Sequence, residues 1–459
     1  MKEVTCLNKE TNTNPMFSKR DLKRLIIPLI IEQLLAVTVG MADIIMISGV
    51  GESAVSGVSL VDTINILLIN VFAALATGGA VISAQYIGKK EKENARTSAN
   101  QLLLISVIIS IVIMVIGLTY NKLILSTIFG KVDYEIMENA QVYFLLSLLS
   151  YPFLSIYNSC AALFRSMGNS KVSMMTSLVM NVINICGNAI LIFGFGMGVA
   201  GAGTATLISR VVAAIIVFAL IRNPRYDINI KKHFSLKLNP HFIKQILHIG
   251  IPNSLENSMF QVGKILVMSL VASYGTSSIA ANAVGNTVGG FATLPGVATG
   301  LALITIIGQC VGAGDYEQAV YYTKTILKIT FLSLGIINVL LIIFAPAIAG
   351  VYNLTPETTK IAVQIMRYHS FCCMIIWPLS FTLPNTLRAA SDVKFTMFIA
   401  IISMWTFRIA FSYILGSIIG LGVLGIWVAM TIDWLFRSIC FTTRFIKGAW
   451  KVPISYAKQ

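Results

Sequence analysis

Charged residues are scarce in this sequence: Asp, Glu, Lys and Arg together make up 12% of its 459 residues, whereas 56% of the residues are hydrophobic. The mean hydropathy is +0.80. These values exclude an ordinary soluble protein and are typical of a chain that crosses a membrane many times. The net charge of +15 comes from bases in short loops between apolar runs, so it favours membrane topology over nucleic-acid binding.

Catalytic and nucleotide-binding motifs are also missing. The sequence has no GxxxxGK[ST] phosphate loop, no HExxH and no GxSxG elbow. The four histidines are scattered over loops and span ends and form no cluster. They are His233, His241, His248 and His369. We therefore expect no enzyme, no cofactor and no ATP-driven motor on this chain.

The seven cysteines mostly lie inside apolar runs and have neither metal-ligand spacing nor the pattern of an extracellular disulfide framework. They are Cys6, Cys160, Cys186, Cys310, Cys372, Cys373 and Cys440. We interpret them as small packing residues. The polar N-terminal tail precedes no short apolar segment with a small-residue cleavage site, so we expect no removable signal peptide.

Twelve apolar runs are long enough to span a bilayer. They lie at about 25–49, 58–86, 100–118, 138–164, 173–193, 200–222, 248–273, 279–311, 322–345, 360–386, 394–416 and 421–445. Lys and Arg collect before the first run and in alternate connections after it, which predicts cytoplasmic N- and C-termini. We expect a multi-pass protein of a bacterial plasma membrane.

The chain repeats itself with a shift of 224 residues. The first set is Pro28, Glu32, Gly51, Ser53, Thr63, Ile82, Gln85, Gly88, Glu93 and Ala95, and it meets Pro252, Glu256, Gly275, Ser277, Thr287, Ile306, Gln309, Gly312, Glu317 and Ala319. Because six spans cannot return a copy inverted, the two copies are parallel repeats. This predicts an all-α polytopic protein with two pseudo-symmetric six-helix bundles around a central cavity. The predicted units are an N-lobe at 1–222, a cytoplasmic linker at 223–244 and a C-lobe at 245–459.

The first span carries two acids, Glu32 and Asp43, and ionisable groups inside a span are candidates for function. The repeat copies Glu32 as Glu256 but places Val267 opposite Asp43. Helical spacing puts Asp43, Asn188 and Thr206 at one depth in the outer half, with Asn184 one turn from Asn188.

A carboxylate, two amides and a hydroxyl that converge would suit Na⁺, and the carboxylate alone suits a proton. We therefore predict a cation-coupling site at Asp43, Asn184, Asn188 and Thr206. The alternative is a polar clamp between helices, since Asn and Thr often hydrogen-bond neighbouring helices in membranes.

A second group of charges lies in other spans and is expected to pair, because isolated charges are costly there. Its members are Glu32, Glu256, Lys264, Arg408 and Asp433. Asp433 is expected to pair with Arg437 four residues later, and Glu256 with either Lys264 or Arg408. Glu32 alternatively binds a backbone group or a basic loop residue of a neighbouring helix. A structural ion-pair network is the competing interpretation of the group.

Aromatic and methionine side chains are candidates for lining a cavity for flat lipophilic ligands, with ordinary packing as the alternative. The candidates are Met41, Phe260, Phe291, Trp377 and Phe381. We expect a small-molecule substrate and the lipid bilayer as partners, no nucleic acid, and a monomer.

Several of these features together resemble the multidrug and toxic compound extrusion (MATE) antiporters. Pro28 is followed by Asp43 and Gly51 and then by an alanine- and serine-rich second span. The resemblance continues through NICGNAILIFG at Asn184–Gly194, GVAGAGTAT at Gly198–Thr206, and the segments GKILV, LRAASD and GIWVAM of the second half. It implies export of amphipathic, often cationic compounds in exchange for protons or sodium ions, with the N-lobe cation site at the four positions already predicted.

The sequence departs from the family pattern at two places. Some members have an aspartate where this chain has Asn188, which leaves the coupling ion open between H⁺ and Na⁺. The acids of the sodium-linked branch in spans seven and ten are replaced by Phe260 and the region of Trp377 and Pro378, which argues against a sodium site of that type in the C-lobe.

Two other functions compete with this interpretation. The main alternative is a flippase of the same superfamily that moves lipid-linked anionic precursors. It is favoured by Lys264 and Arg408, which place bases inside the membrane. Such flippases more often have fourteen spans. A channel fits poorly, because no segment is typical of a pore filter.

Overall fold

The computed structural model describes residues 15–130, 132–230 and 236–451. These residues form helices and no strands. The twelve helices, numbered α1 to α12, are Lys19–Ser48, Glu52–Gly88, Lys92–Phe129, Tyr134–Ser166, Ser170–Gly194, Gly198–Ile221, Pro240–Ala272, Thr276–Gly312, Tyr316–Gly350, Pro356–Ala389, Val393–Ile418 and Gly422–Ile446. Cys6, His233 and part of the basic linker lie outside the described residues.

All of the helices except α7 are long and apolar enough to cross a membrane, so the described residues contain eleven such spans. The remaining helix, α7, carries Glu256 at its midpoint and Lys264 in its second half. It nevertheless has a clear counterpart in α1, since Pro252 and Glu256 repeat Pro28 and Glu32. The all-α, two-lobe fold predicted from the sequence is therefore confirmed.

Helices α1 and α7 each connect the two lobes. Leu22, Leu25 and Leu29 at the start of α1 are buried in a core shared with α8, α9 and the end of α10 in the second lobe. Ile246 and Ile249 in α7 are buried in the core of the first lobe. The lobes are thus joined at the end of the bundle where α1 begins and α12 finishes, which we call the terminal end.

Pseudo-symmetric contacts close the terminal end. Gln85 Nε2 of α2 donates to the Ala389 carbonyl at 2.8 Å, and Gln309 Nε2 of α8 donates to the Ser166 carbonyl at 2.8 Å. The two glutamines are one repeat apart, so each lobe holds the other through the same residue type. Because these bonds involve backbone carbonyls, they fix the approach of the two lobes closely.

Short π-helical stretches interrupt helices in both lobes. One follows Asn188 at the end of α5, over Ala189–Gly194. Another ends α11 at the corresponding place of the second lobe, over Ile414–Ile418. In α10 a π-stretch begins at Pro378, which has no N–H for the helix ladder. Such wider turns are frequent at functional sites because they re-aim neighbouring side chains.

Candidate functional site

The N-lobe encloses a cavity of about 850 Å³ that α1, α2, α4, α5 and α6 line. Glu32 and Asp43 both face it, as their spacing on one face of α1 predicts. Asn184 and Thr206 face it from α5 and α6. The first span therefore presents both of its acids to the inside of the bundle and not to lipid.

The four residues predicted to form the cation site are joined by one chain of hydrogen bonds. Asn188 Nδ2 donates to Asp43 Oδ1 at 2.6 Å and to Asn184 Oδ1 at 3.4 Å. Asn184 Nδ2 donates to Thr206 Oγ1 at 3.1 Å. Asn188 is fully buried, and its own Oδ1 has no hydrogen-bond partner within the described chain. An acceptor oxygen without a donor therefore sits beside the Asp43 carboxylate.

Local sequence explains why the four groups meet. Asn184 and Asn188 are one helical turn apart and face the same way, and the π-stretch begins immediately after Asn188. Gly187 between them would bring a Cβ to 3.0 Å from Ala205, so a glycine there lets α5 approach α6 closely. The small residues of GVAGAGTAT serve the same approach from α6.

The chemistry of this set is that of one carboxylate with neutral oxygens around it. In the described ranges no group of three or more His, Cys, Asp or Glu side chains could hold a metal ion. A multivalent ion would need more negative charge, whereas a monovalent cation needs one carboxylate and a few neutral oxygens. The set has the ligand types that a proton or a Na⁺ ion requires.

Two charged residues of this cavity were missed by the sequence analysis. Asp62 of α2 lines it and accepts a hydrogen bond from Asn65 Nδ2 at 3.2 Å. Arg210 of α6 lines it and donates to Ser150 Oγ at 2.6 Å. Both lie inside apolar runs, so the rule that singled out Asp43 would also have found them. The cavity is therefore lined by the acids Asp43 and Asp62 and the base Arg210, in addition to Glu32.

Glu32 is compensated by a base from another helix. Arg165 Nη1 at the end of α4 lies 3.1 Å from Glu32 Oε1, and Ser173 Oγ donates to Oε2 at 2.7 Å. This is the structural alternative considered for Glu32, a basic residue at a helix end. Removing either partner would leave a buried charge unpaired, which costs about 3–5 kcal/mol.

The prediction for the partner of Glu256 was wrong. Neither Lys264 nor Arg408 binds it; Arg388 Nη2 of α10 lies 2.6 Å from Glu256 Oε1. The pair repeats that of Glu32 with Arg165 in the other lobe, because FRSMGNSK and LRAASDVK align at a shift of 223 residues. Arg388 falls between the predicted spans 360–386 and 394–416, whereas the structure places it in the last turn of α10. The grouping of Glu256 with Lys264 or Arg408 expected from the sequence is therefore wrong.

The predicted pair of Asp433 with Arg437 is confirmed. Arg437 Nε lies 2.9 Å from Asp433 Oδ1, and Ser403 Oγ donates to the same oxygen. Arg408 Nη1 is 3.9 Å from Asp433 Oδ2, at the outer limit of an ion pair. Lys264 has no carboxylate within 4.0 Å in the described part of the chain. The five-residue group therefore divides into three ion-pair arrangements and a separate Lys264.

The candidate cavity residues also divide. Met41 lines the N-lobe cavity. Phe260, Trp377 and Phe381 instead pack together inside the C-lobe: Trp377 stacks on Phe381 with 5.1 Å between ring centroids, and Phe260 meets Phe381 edge-on at 6.4 Å. The Arg408 guanidinium lies 5.0 Å from the Phe260 ring centroid. Phe291 lines neither the N-lobe cavity nor its C-lobe counterpart described below.

Comparison with known families gives a match that covers well over half of the chain. The family model MatE matches residues 28–190 and again residues 252–414. The second match begins 224 residues after the first, which is the repeat found in the sequence. Each half of the chain therefore corresponds to one copy of the same family unit.

Similar curated proteins match along nearly their whole length. "Uncharacterized transporter YisQ" of Bacillus subtilis is 28% identical over 92% of this chain and 93% of its own. "Probable multidrug resistance protein NorM" of Thermotoga maritima is 26% identical over 94% of this chain and 93% of its own. These names do not favour the flippase alternative.

Solved structures share the fold. One is described as "Outward-facing conformation of a multidrug resistance MATE family transporter of the MOP superfamily", with a TM-score of 0.88 and 22% identity over 94% of this chain and 96% of that chain. Another, from Pyrococcus furiosus, is described as "Reverse polarity of binding pocket suggests different function of a MOP superfamily transporter" and has a TM-score of 0.88 and 22% identity over 95% of this chain and 97% of that chain.

Proposed function

Because this chain belongs to the MatE family of multidrug efflux transporters, we propose that it is an antiporter that exports amphipathic, often cationic compounds in exchange for H⁺ or Na⁺. It is a membrane transporter and not an enzyme, and the family uses no cofactor. The observation that carries the proposal is the set of Asp43, Asn184, Asn188 and Thr206, linked by hydrogen bonds beside a cavity of about 850 Å³. A cation and a drug-sized molecule have room on the same face of the N-lobe.

The coupling works through the charge of Asp43. A ligand moves a conformational equilibrium only through its different affinities for the two states. A cation at Asp43 replaces the hydrogen bond from Asn188 and so favours one arrangement of α1, α5 and α6 over another. The same carboxylate, when it carries no cation, attracts a cationic substrate into the cavity. Exchange follows because both ligands neutralise one charge.

Efflux from vesicles tests this proposal. Proteoliposomes that hold the purified protein and ethidium are given a pH gradient or a sodium gradient separately, with protein-free vesicles as the blank. We expect uphill dye movement to follow one of the two gradients. Asn188→Ala should weaken a sodium response more than a proton response, because an amide oxygen is a sodium ligand but need not touch a proton. Dye movement that follows neither gradient would refute antiport.

We also propose that the terminal end faces the cytoplasm of a bacterial cell, with lobes 1–222 and 245–459 joined by a cytoplasmic linker, 223–244. The alternation of basic and base-free connections supports this orientation. In intact cells, Glu52→Cys and Ser277→Cys should react with an impermeant maleimide, whereas Arg225→Cys should react only after lysis. The chain with its native cysteines alone sets the background. Labelling of Arg225→Cys from outside would show that the proposed orientation is wrong.

A further inference from the structure

The C-lobe has its own cavity, of about 360 Å³, at the place where the repeat puts the counterpart of the N-lobe cavity. Its polar and charged lining includes Lys264, Arg408, Asn282 and Asn286. Thr63 and Ile66 of α2 line both cavities. The two cavities therefore adjoin at α2.

The repeat aligns the two cavities residue by residue, and the alignment reverses their charge. At a shift of 224, the acids Asp43 and Asp62 correspond to Val267 and Asn286. At the same shift, the uncharged Gly40 and Asn184 of the N-lobe correspond to the bases Lys264 and Arg408 of the C-lobe. All eight residues line their respective cavities. The second copy has thus lost two acids and gained two bases at matched positions.

The gained bases lack full compensation. Lys264 has no carboxylate within 4.0 Å among the residues described, and its side chain is exposed to the cavity. Arg408 is 11% exposed, reaches Asp433 only at 3.9 Å, and its Nε has no hydrogen-bond partner. Asp433 already serves Arg437 at 2.9 Å. Two bases, Lys264 and Arg408, thus line a cavity that has no acid among its described lining residues. An excess of positive charge inside a membrane bundle favours an anion.

The rest of the lining fits an apolar body attached to that anion. Trp427 presents its ring while its Nε1 donates to Asn282 Oδ1 at 3.1 Å, so the indole is held in place. Met268, Met430 and Ile426 complete an adaptable apolar wall. The volume is within the range of sites for small organic ligands.

We propose that the C-lobe cavity binds the carboxylate of amphipathic, aromatic organic acids, with Lys264 and Arg408 as the anion-binding residues. This rests on the proposed transport function and deepens it, because the substrates would include anionic or zwitterionic compounds as well as cations. In a zwitterion, the carboxylate binds the C-lobe bases while the cationic group reaches past Thr63 to the acids of the N-lobe.

A binding experiment that does not depend on transport tests the proposal. The full chain in nanodiscs is dialysed against 2-naphthoate or its neutral partner 2-naphthamide, with empty nanodiscs as the blank. We expect the acid to bind about ten- to a hundredfold more tightly than the amide, since a hydrogen bond to a charged group contributes about 1.5–3 kcal/mol. Equal binding of the two probes by the wild-type chain would overturn the proposal.

Three variants locate the effect. Lys264→Gln should remove most of the preference for the acid, while Lys264→Arg should keep it. Lys360→Gln, which removes an exposed lysine of the same lobe, should also keep it. Val267→Asp restores an acid at the counterpart of Asp43 and should abolish the preference even if Lys264→Gln folds poorly. A preference that survives both Lys264→Gln and Val267→Asp would place anion binding elsewhere.

This result is separable from the proposed antiport. Gradient-driven ethidium efflux without a preference for 2-naphthoate would refute the anion site and leave the transporter intact. A preference for 2-naphthoate without efflux of either compound would refute antiport and leave the binding site standing.

Discussion

Asp43→Asn is expected to abolish uphill efflux, down to the level of protein-free vesicles, while leaving the protein folded and able to bind a cationic dye. An amide at this position keeps the size of the side chain and a hydrogen bond to Asn188, so the packing of α1 on α5 survives. It cannot, however, exchange a charged for a neutral state, and in the proposed antiport that exchange makes the two ligands compete. The loss is therefore of coupling and not of structure.

Two measurements on proteoliposomes check this result. Dye efflux under an imposed ion gradient should vanish, and dye binding at equilibrium should persist with an affinity reduced by the lost charge. Asp133→Asn is the matched control, because it removes an exposed carboxylate outside the cavity. Efflux at the wild-type rate in Asp43→Asn would show that coupling lies elsewhere. The next carboxylate to test would then be Asp62, which lines the same cavity, and not Glu256, which Arg388 already neutralises.

The parts of this molecule that follow from periodicity could be predicted from its sequence. Span length, loop charge and the 224-residue shift are properties of the chain itself, so they determine twelve helices in two lobes without any knowledge of side-chain positions. Asp43, Asn184, Asn188 and Thr206 were brought together by the same means, since equal depth and helical face follow from counting residues. The structure joins them by hydrogen bonds.

Partners between distant helices could not be predicted, because they depend on which side chains reach across a packed interface. The sequence predicts Lys264 or Arg408 as the partner of Glu256, because both bases fall inside predicted spans, but Glu256 binds Arg388. Arg388 belongs to a segment that looked like a loop and is the last turn of a helix. Asp433 with Arg437 was predictable because the pair is local, at i and i+4.

The repeat shows that Gly88 and Gly312 are matched positions. Only the structure shows why both of them are glycine. A Cβ at Gly88 would lie 2.0 Å from the Gln309 carbonyl oxygen, and a Cβ at Gly312 would lie 2.0 Å from the Gln85 carbonyl oxygen. Both obstacles are backbone atoms of the opposite lobe, so no change of rotamer relieves them. The glycines therefore permit the contact that closes the terminal end.

Gly88→Val is accordingly expected to prevent this closure and to stop transport. Overpacking of this kind costs about 1–3 kcal/mol, which shifts an equilibrium between two conformations by about 5- to 150-fold. Spin labels on cysteines at the exposed positions Glu91 and Glu317, in opposite lobes, should move further apart. Ion-driven dye efflux should also decrease, because alternating access needs both the closed and the open form of the terminal end. Gly335→Val is the matched control: it adds the same side chain to a helix where nothing lies within 4 Å, and it should change neither the distance nor the efflux. An unchanged distance in Gly88→Val, with efflux preserved, would mean that the glycine contact does not hold the lobes together and that the two glutamine bonds close the terminal end alone.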